Sequence, residues 1–137
     1  MWWTYALGSA LFAALTAILA KIGIKGVNTD LATAIRTVVI LLVAWGIVLG
    51  RGGLEGLPAL TRQNWVFLIL SGIATGLSWI LYFKALQLGK VSQVAPVDKL
   101  SVAIAILLSV AFLGEVLTWK AALGAALIIG GTLVLIL

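Results

Sequence analysis

Apolar residues fill this chain in five long blocks, separated by short charged or glycine-rich breaks. At a helical rise of ~1.5 Å per residue, each block is about long enough to cross the ~30 Å hydrocarbon core of a bilayer. The pattern predicts spans at Trp3–Ile24, Leu31–Leu49, Trp65–Leu88, Val91–Leu113 and Trp119–Leu137. Gly26-Val27-Asn28-Thr29-Asp30 reads as a turn, with Thr29 or Asp30 as the N-cap of the second span. Gly50-Arg51-Gly52-Gly53 reads as a glycine-rich stop. Only the 50–64 connection has any length; Leu54–Leu60 there predicts a short interfacial helix, and Thr61-Arg62-Gln63-Asn64 offers caps for the third span. Trp2, Trp3, Trp65 and Trp119 fall at span ends, where amphipathic rings prefer the headgroup region. The expected fold is an all-α membrane protein, one domain of five transmembrane helices over residues 1–137.

Composition sharpens this. The apolar fraction is 64% and the mean hydropathy +1.26, too apolar for a soluble domain, which is usually about half apolar. No cysteine and no histidine is present, which excludes disulfide scaffolds, thiolate chemistry, most zinc sites and histidine acid–base work. No nucleophile–base pair or metal-ligand set is visible, so an enzyme is not expected, nor is a metal or cofactor. The net charge of +5 comes from nine Lys and Arg scattered over loops, without the basic, aromatic-interleaved stripe of a nucleic-acid binder. The first span is too long for a removable signal peptide and is not followed by a soluble domain. The expected location is the cell inner membrane or plasma membrane, with several passes.

Lys and Arg enrich cytoplasmic loops. The face holding the first and third connections and the C-terminus carries Lys21, Lys25, Lys84 and Lys90, with Arg36 and Lys99 deeper. The other face carries Arg51, Arg62 and Lys120. The bias favours an outside N-terminus and a cytoplasmic C-terminus, and it is small enough to leave a mixed population of both orientations open.

The charges inside the spans carry the most information. Arg36 lies ~8 Å into the second span, Asp98 and Lys99 ~11 Å into the fourth, and Lys84 and Lys21 ~6 Å deep in the third and first. All enter from one face. A charge at the bilayer centre costs at least ~2.5 kcal/mol, so such groups face a bundle interior, a partner or water. A hydrated, charge-lined vestibule on the cytoplasmic face follows. Lys21 and Lys84 have stems long enough to snorkel instead. Asp98 does not, and either pairs with Arg36 or Lys84 to fix packing or handles a ligand or proton. Lys99 points ~100° away from Asp98 around the helix, so the two cannot both face one pore.

Pro96 removes a backbone donor from the fourth span. Either it breaks the helix and frees carbonyls toward a cavity, as in transporter spans, or it sits in the first turn of a helix that begins later. Glu115 reads as a solvated turn residue close to Lys120. Trp79, Tyr82 and Phe83 offer rings either for a cationic or aromatic solute or for core packing. Thr75, Ser78 and Ser101 suit hydrogen bonds across helices. Gly46/Gly50, Gly72/Gly76 and Ala122/Ala126/Gly130 repeat at four-residue spacing, a pattern that lets helices approach closely.

Tyr82-Phe83-Lys84-Ala85-Leu86-Gln87-Leu88-Gly89, then Val94-Ala95-Pro96, Phe112-Leu113-Gly114-Glu115, Leu117-Thr118-Trp119 and Gly124-Ala125-Ala126-Leu127-Ile128-Ile129-Gly130-Gly131 together resemble an EamA-type repeat of the drug/metabolite transporter superfamily. The similarity covers essentially the whole chain, and Lys21 and Arg36 match positions where such repeats often carry basic residues. The resemblance implies solute movement by alternating access, usually by ten spans arranged as two inverted five-span repeats. This chain has one repeat, so a full pathway implies a homodimer, antiparallel like the four-span small multidrug resistance proteins, or an inverted partner chain. Those proteins use a glutamate in the first span, and this first span holds no acid.

The expected function is therefore a transporter, in the exporting direction, of a small metabolite that is neutral, zwitterionic or anionic. Arg36, Trp79, Tyr82, Pro96 and Asp98 are the expected substrate-binding residues: Arg36 as anion anchor, the rings as cavity wall, Asp98 as gate. Two other readings stand beside it, a non-transporting assembly subunit of another membrane protein and a flippase subunit for a lipid-linked sugar.

Overall fold

A computed structural model describes residues 1–137, and every regular element in it is helical. The helices are α1 (Trp2–Gly23), α2 (Thr29–Gly50), α3 (Arg62–Leu88), α4 (Val91–Asp98), α5 (Leu100–Leu113) and α6 (Trp119–Ile136), with a 3-10 helix at Gly53–Ala59. Counting α4 and α5 as one span, five segments are long and apolar enough to cross a membrane. The expected span limits hold to within a few residues, because in lipid every backbone polar group must be satisfied internally and an apolar block has no alternative to helix.

The caps explain where helices start and stop. The N-cap of α2 is Asn28 rather than Thr29 or Asp30: its Oδ1 accepts from the N–H groups of Asp30 at 2.8 Å and Leu31 at 3.1 Å. The helix therefore starts one residue earlier, and Asp30 is left in the first turn, where its charge complements the positive end of the dipole. Thr61 caps α3, its Oγ1 accepting from Asn64 N–H at 3.2 Å, and Thr118 caps α6 through Ala121 N–H at 3.2 Å. Gly52 at φ +70° and Gly114 at φ +69° make the left-handed turns that end α2 and α5, which a side chain would strain. The expected interfacial helix at Leu54–Leu60 is the 3-10 helix, bent into that form by Pro58 and held against α2.

The chain forms two compact units, residues 20–87 and residues 1–19 with 88–137. In the first, α2 and α3 present matched stripes at helical spacing. Thr29, Thr33 and Arg36 lie along α2, and Trp79, Phe83 and Leu86 along α3; Phe83 is 1% exposed and Leu86 fully buried. Thr33 and Thr37 return their hydroxyls to the carbonyls of Thr29 and Thr33, each at 2.8 Å, so the buried hydroxyl of Thr33 keeps its partner.

In the second unit, α4 and α5 both pack on α6. The helix of the fourth span begins at Val91, so Pro96 lies beyond the first turn, and the reading that placed it there is corrected. The break comes at Lys99, whose N–H reaches back to Ala95 O at 3.3 Å and Pro96 O at 3.0 Å, a tightened turn between the two helices. Proline lacks the N–H that Ser92 O would accept, and the ladder gives way just after it.

The four-residue glycine repeats do not mediate close approach within the chain. A Cβ at Gly46, Gly50, Gly72, Gly76 or Gly130 would meet nothing within 4 Å. These small-residue faces point outward, to whatever surrounds the chain.

Candidate functional site

In the unit of residues 20–87, the site is built around Arg36. It is the eighth residue of α2, so its Cα sits ~10 Å in from the start of that helix. Its guanidinium carbon lies 4.6 Å from the centroid of Trp79 and 4.8 Å from that of Phe83. These rings are four residues apart on α3, one turn above the other, and form the two walls of a cleft that the charge enters. Aromatic faces carry negative quadrupole density, and a desolvated cation over one gains ~2 kcal/mol. Tyr82 packs its ring 6.2 Å from that of Phe83 at 40°. One face of Trp79 is thus taken by Arg36.

Two further contacts fix the ends of the helices at the same face. Lys21 Nζ donates to Leu86 O, in the last turn of α3. Gln87 Nε2 donates to Ile24 O at 3.2 Å and Val27 O at 2.9 Å, just past the end of α1. Both helix ends are C-termini, where unpaired carbonyls and the negative end of the dipole gather. A cation from α1 satisfies one and an amide from α3 the other. Lys21 is therefore not merely snorkelling, as its depth suggested; its ammonium caps a neighbouring helix.

In the other unit, Pro96 and Asp98 stand at the broken span. Pro96 O accepts from Thr132 Oγ1 on α6 at 3.1 Å, and Thr132 is 3% exposed. The carbonyl next to the break is thus bonded to a buried hydroxyl. Asp98 pairs with Lys99 at 3.4 Å. The long Lys99 side chain reaches back to its neighbour although the two residues leave the helix in different directions. Glu115 is exposed in the turn after α5, its N–H bonded to Ser109 O at 3.3 Å, and it makes no ion pair with Lys120. An apolar groove between α5 and α6, lined by Ala103, Ile106, Leu117, Ala122, Ala125 and Ile129, has no polar group to orient a ligand.

Of the five expected site residues, the structure gathers Arg36, Trp79 and Tyr82 in one unit and places Pro96 and Asp98 in the other. Gln87 and Thr132 were not singled out from the sequence; Phe83 was named there as a candidate ring, though not among the five expected site residues. Phe83 had a usable signal, its four-residue offset from Trp79; Thr132 had only its isolation as a hydroxyl in an apolar helix.

The sequence model of the EamA-like transporter family matches residues 1–137. The chain belongs to the EamA-like transporter family. It is also 49% identical over 134 residues to a Sinorhizobium protein described as an uncharacterized transporter in the cobO 3' region, covering 98% of this chain and 95% of that relative. No solved structure matches it. This EamA-like chain is a multi-pass membrane protein, and its functional class is membrane transport.

Proposed function

We propose that the chain exports a small metabolite by alternating access, as a dimer of two five-span repeats in opposite orientations. The observation that carries this reading is Arg36, a charge kept well inside a span and compensated by Trp79 and Phe83 instead of by an acid. A span that only anchored the protein would gain by replacing it with an apolar residue. Arg36, Trp79 and Tyr82 form the binding wall in the one unit; Pro96 and Asp98 act at the broken fourth span in the other. The break gives that span a natural bending point, as discontinuous helices do where transporters change access.

A single five-span repeat supplies half of the usual pathway. The curated relative is covered almost end to end, which fits a protein of one repeat. The small-residue faces at Gly46/Gly50 and Gly72/Gly76 are open and suit helix contacts with a second copy. The small difference in basic residues between the two faces suits insertion in both orientations.

Cysteine labelling tests the arrangement, because the chain has no cysteine of its own. Gly56→Cys and Lys90→Cys place a thiol on opposite faces. Gly56 is preferable to Gly53, where a new Cβ would sit 3.3 Å from Val48 Cγ1. Labelling of about half of each site by an impermeant reagent in intact cells is the expected result; labelling of only one site would contradict the self-contained inverted dimer. In proteoliposomes, Asp98→Asn is expected to impair flux while leaving insertion intact, and unchanged kinetics would remove Asp98 from the mechanism.

A further inference from the structure

We propose that the Arg36 guanidinium, held between Trp79 and Phe83, binds an oxyanion, a carboxylate or phosphate group. The inference deepens the proposed transport function, on which it rests only for placing that oxyanion on the solute.

The two rings compensate the charge of Arg36 but accept none of its hydrogen bonds in the manner of an oxygen lone pair. A guanidinium carries five N–H donors in a rigid fork that matches carboxylate and phosphate oxygens two at a time. The chain's one ion pair joins Asp98 to Lys99, so no carboxylate of the protein is spent on Arg36. The guanidinium meets the faces of Trp79 at 4.6 Å and Phe83 at 4.8 Å, and Tyr82 is near enough to interact with its charge. Thr33, one turn before it on the same stripe, donates its hydroxyl to Thr29 O at 2.8 Å.

The surroundings favour an anion as well. The unit of residues 20–87 carries six basic side chains against two acidic ones, Asp30 and Glu55. Lys21 and Lys84 enter the membrane from the same face as Arg36, so the local field raises the concentration of anions and repels cations. The walls are aromatic and partly or fully buried, which lowers the local dielectric and strengthens a guanidinium–oxyanion pair relative to water. The rings also hold the guanidinium in place before the ligand arrives, so less freedom is lost on binding.

The chain has three arginines, Arg36, Arg51 and Arg62, which makes nuclear magnetic resonance with isotope-labelled arginine a direct test. The purified chain is held in an uncharged detergent, and Arg36→Lys assigns the Arg36 Nε–H signal by its loss. Sodium acetate, inorganic phosphate and bicelles containing phosphatidylglycerol are added in separate titrations. The expected result is a saturable shift of the Arg36 signal with acetate or phosphate, while Arg51 and Arg62 move little and report that the fold is intact. Trp79→Ala is expected to weaken that binding about fivefold, the scale of one cation–π contact.

Response to the phosphatidylglycerol bicelles alone would support the oxyanion site and assign its ligand to a lipid headgroup, severing it from the solute. No selective response of Arg36 to any of the three would overturn the proposal. Saturable acetate or phosphate binding in a protein that moves no solute would leave the site standing and remove the transport reading instead.

Discussion

The two compact units answer the same difficulty in different ways. Around Arg36, the problem is a side-chain charge inside apolar helices, and it is met by side chains, two ring faces one turn apart on α3. Around Pro96, the problem is a backbone interrupted inside an apolar helix, and it is met by one hydroxyl, Thr132 Oγ1, and a tightened turn at Lys99. The first solution holds a charge whose N–H donors are left for a ligand. The second ties the Pro96 carbonyl, already bonded to the Lys99 N–H, to a hydroxyl of α6. On the proposed transport reading, the Arg36 cleft serves recognition and the broken span movement.

Replacing the charge should separate the two regions most sharply. Arg36→Gln is expected to lower solute flux about fiftyfold, since a charge-assisted pair is worth ~2–3 kcal/mol, while Arg36→Lys, which keeps charge but loses the planar fork, should lie between it and the native chain. Counterflow of a radiolabelled amino-acid mixture in proteoliposomes reads this; equal flux for all three proteins would detach Arg36 from the pathway. Phe83→Ala comes next. Its ring is almost fully buried, and removing it leaves a cavity and one fewer face for the cation, a loss of ~2–3 kcal/mol in stability measured by steric trapping in bicelles.

The clasp at the helix ends predicts a smaller effect. Lys21→Met leaves the last turn of α3 without its cation, and Gln87→Leu takes the side-chain donor from Val27 O and leaves Ile24 O with the Val27 N–H alone; each is expected to cost ~1 kcal/mol and to raise amide exchange at those helix ends. The smallest effect belongs to the broken span. Thr132→Val keeps the shape but removes the bond to Pro96 O, at a cost of ~0.6 kcal/mol by the scale of such bonds in membrane helices. Thr132→Ser should behave as the native chain. Faster amide exchange confined to residues 97–101 in Thr132→Val is the expected signature, and exchange unchanged there would mean that the bond does not restrain the bend.

The five spans were legible in the sequence because a bilayer leaves an apolar block one backbone solution. The caps were less so: Asn28, Thr29 and Asp30 are all competent N-caps, and only the direction of the turn from Gly26 decides that the Asn28 side chain meets the first free N–H groups. The charge inside α2 was legible as a costly residue in need of compensation, as were the other charges within the spans. Its partners were not, because Trp79 and Phe83 are two rings among many apolar residues, and which stripe of α3 faces α2 is a property of packing. Pro96 announced a break but not its position at Lys99, because the missing N–H weakens the ladder without stating which turn yields. The glycine repeats read as small faces that let helices approach, and within the chain nothing lies against them; the spacing of small residues says that a surface is smooth, not what lies against it.

The most direct test of a solute pathway at Arg36 is water access to that position. Arg36→Cys in the otherwise cysteine-free chain is treated with a sulfonate-bearing thiol reagent in permeabilised membranes, beside Val38→Cys, about 200° round α2 and exposed on the lone chain. A pathway predicts rapid modification at position 36 and little at position 38, which a lipid-facing thiol would escape. An Arg36→Cys thiol as unreactive as that at position 38 would contradict the account, leaving Arg36 a packing residue between two rings.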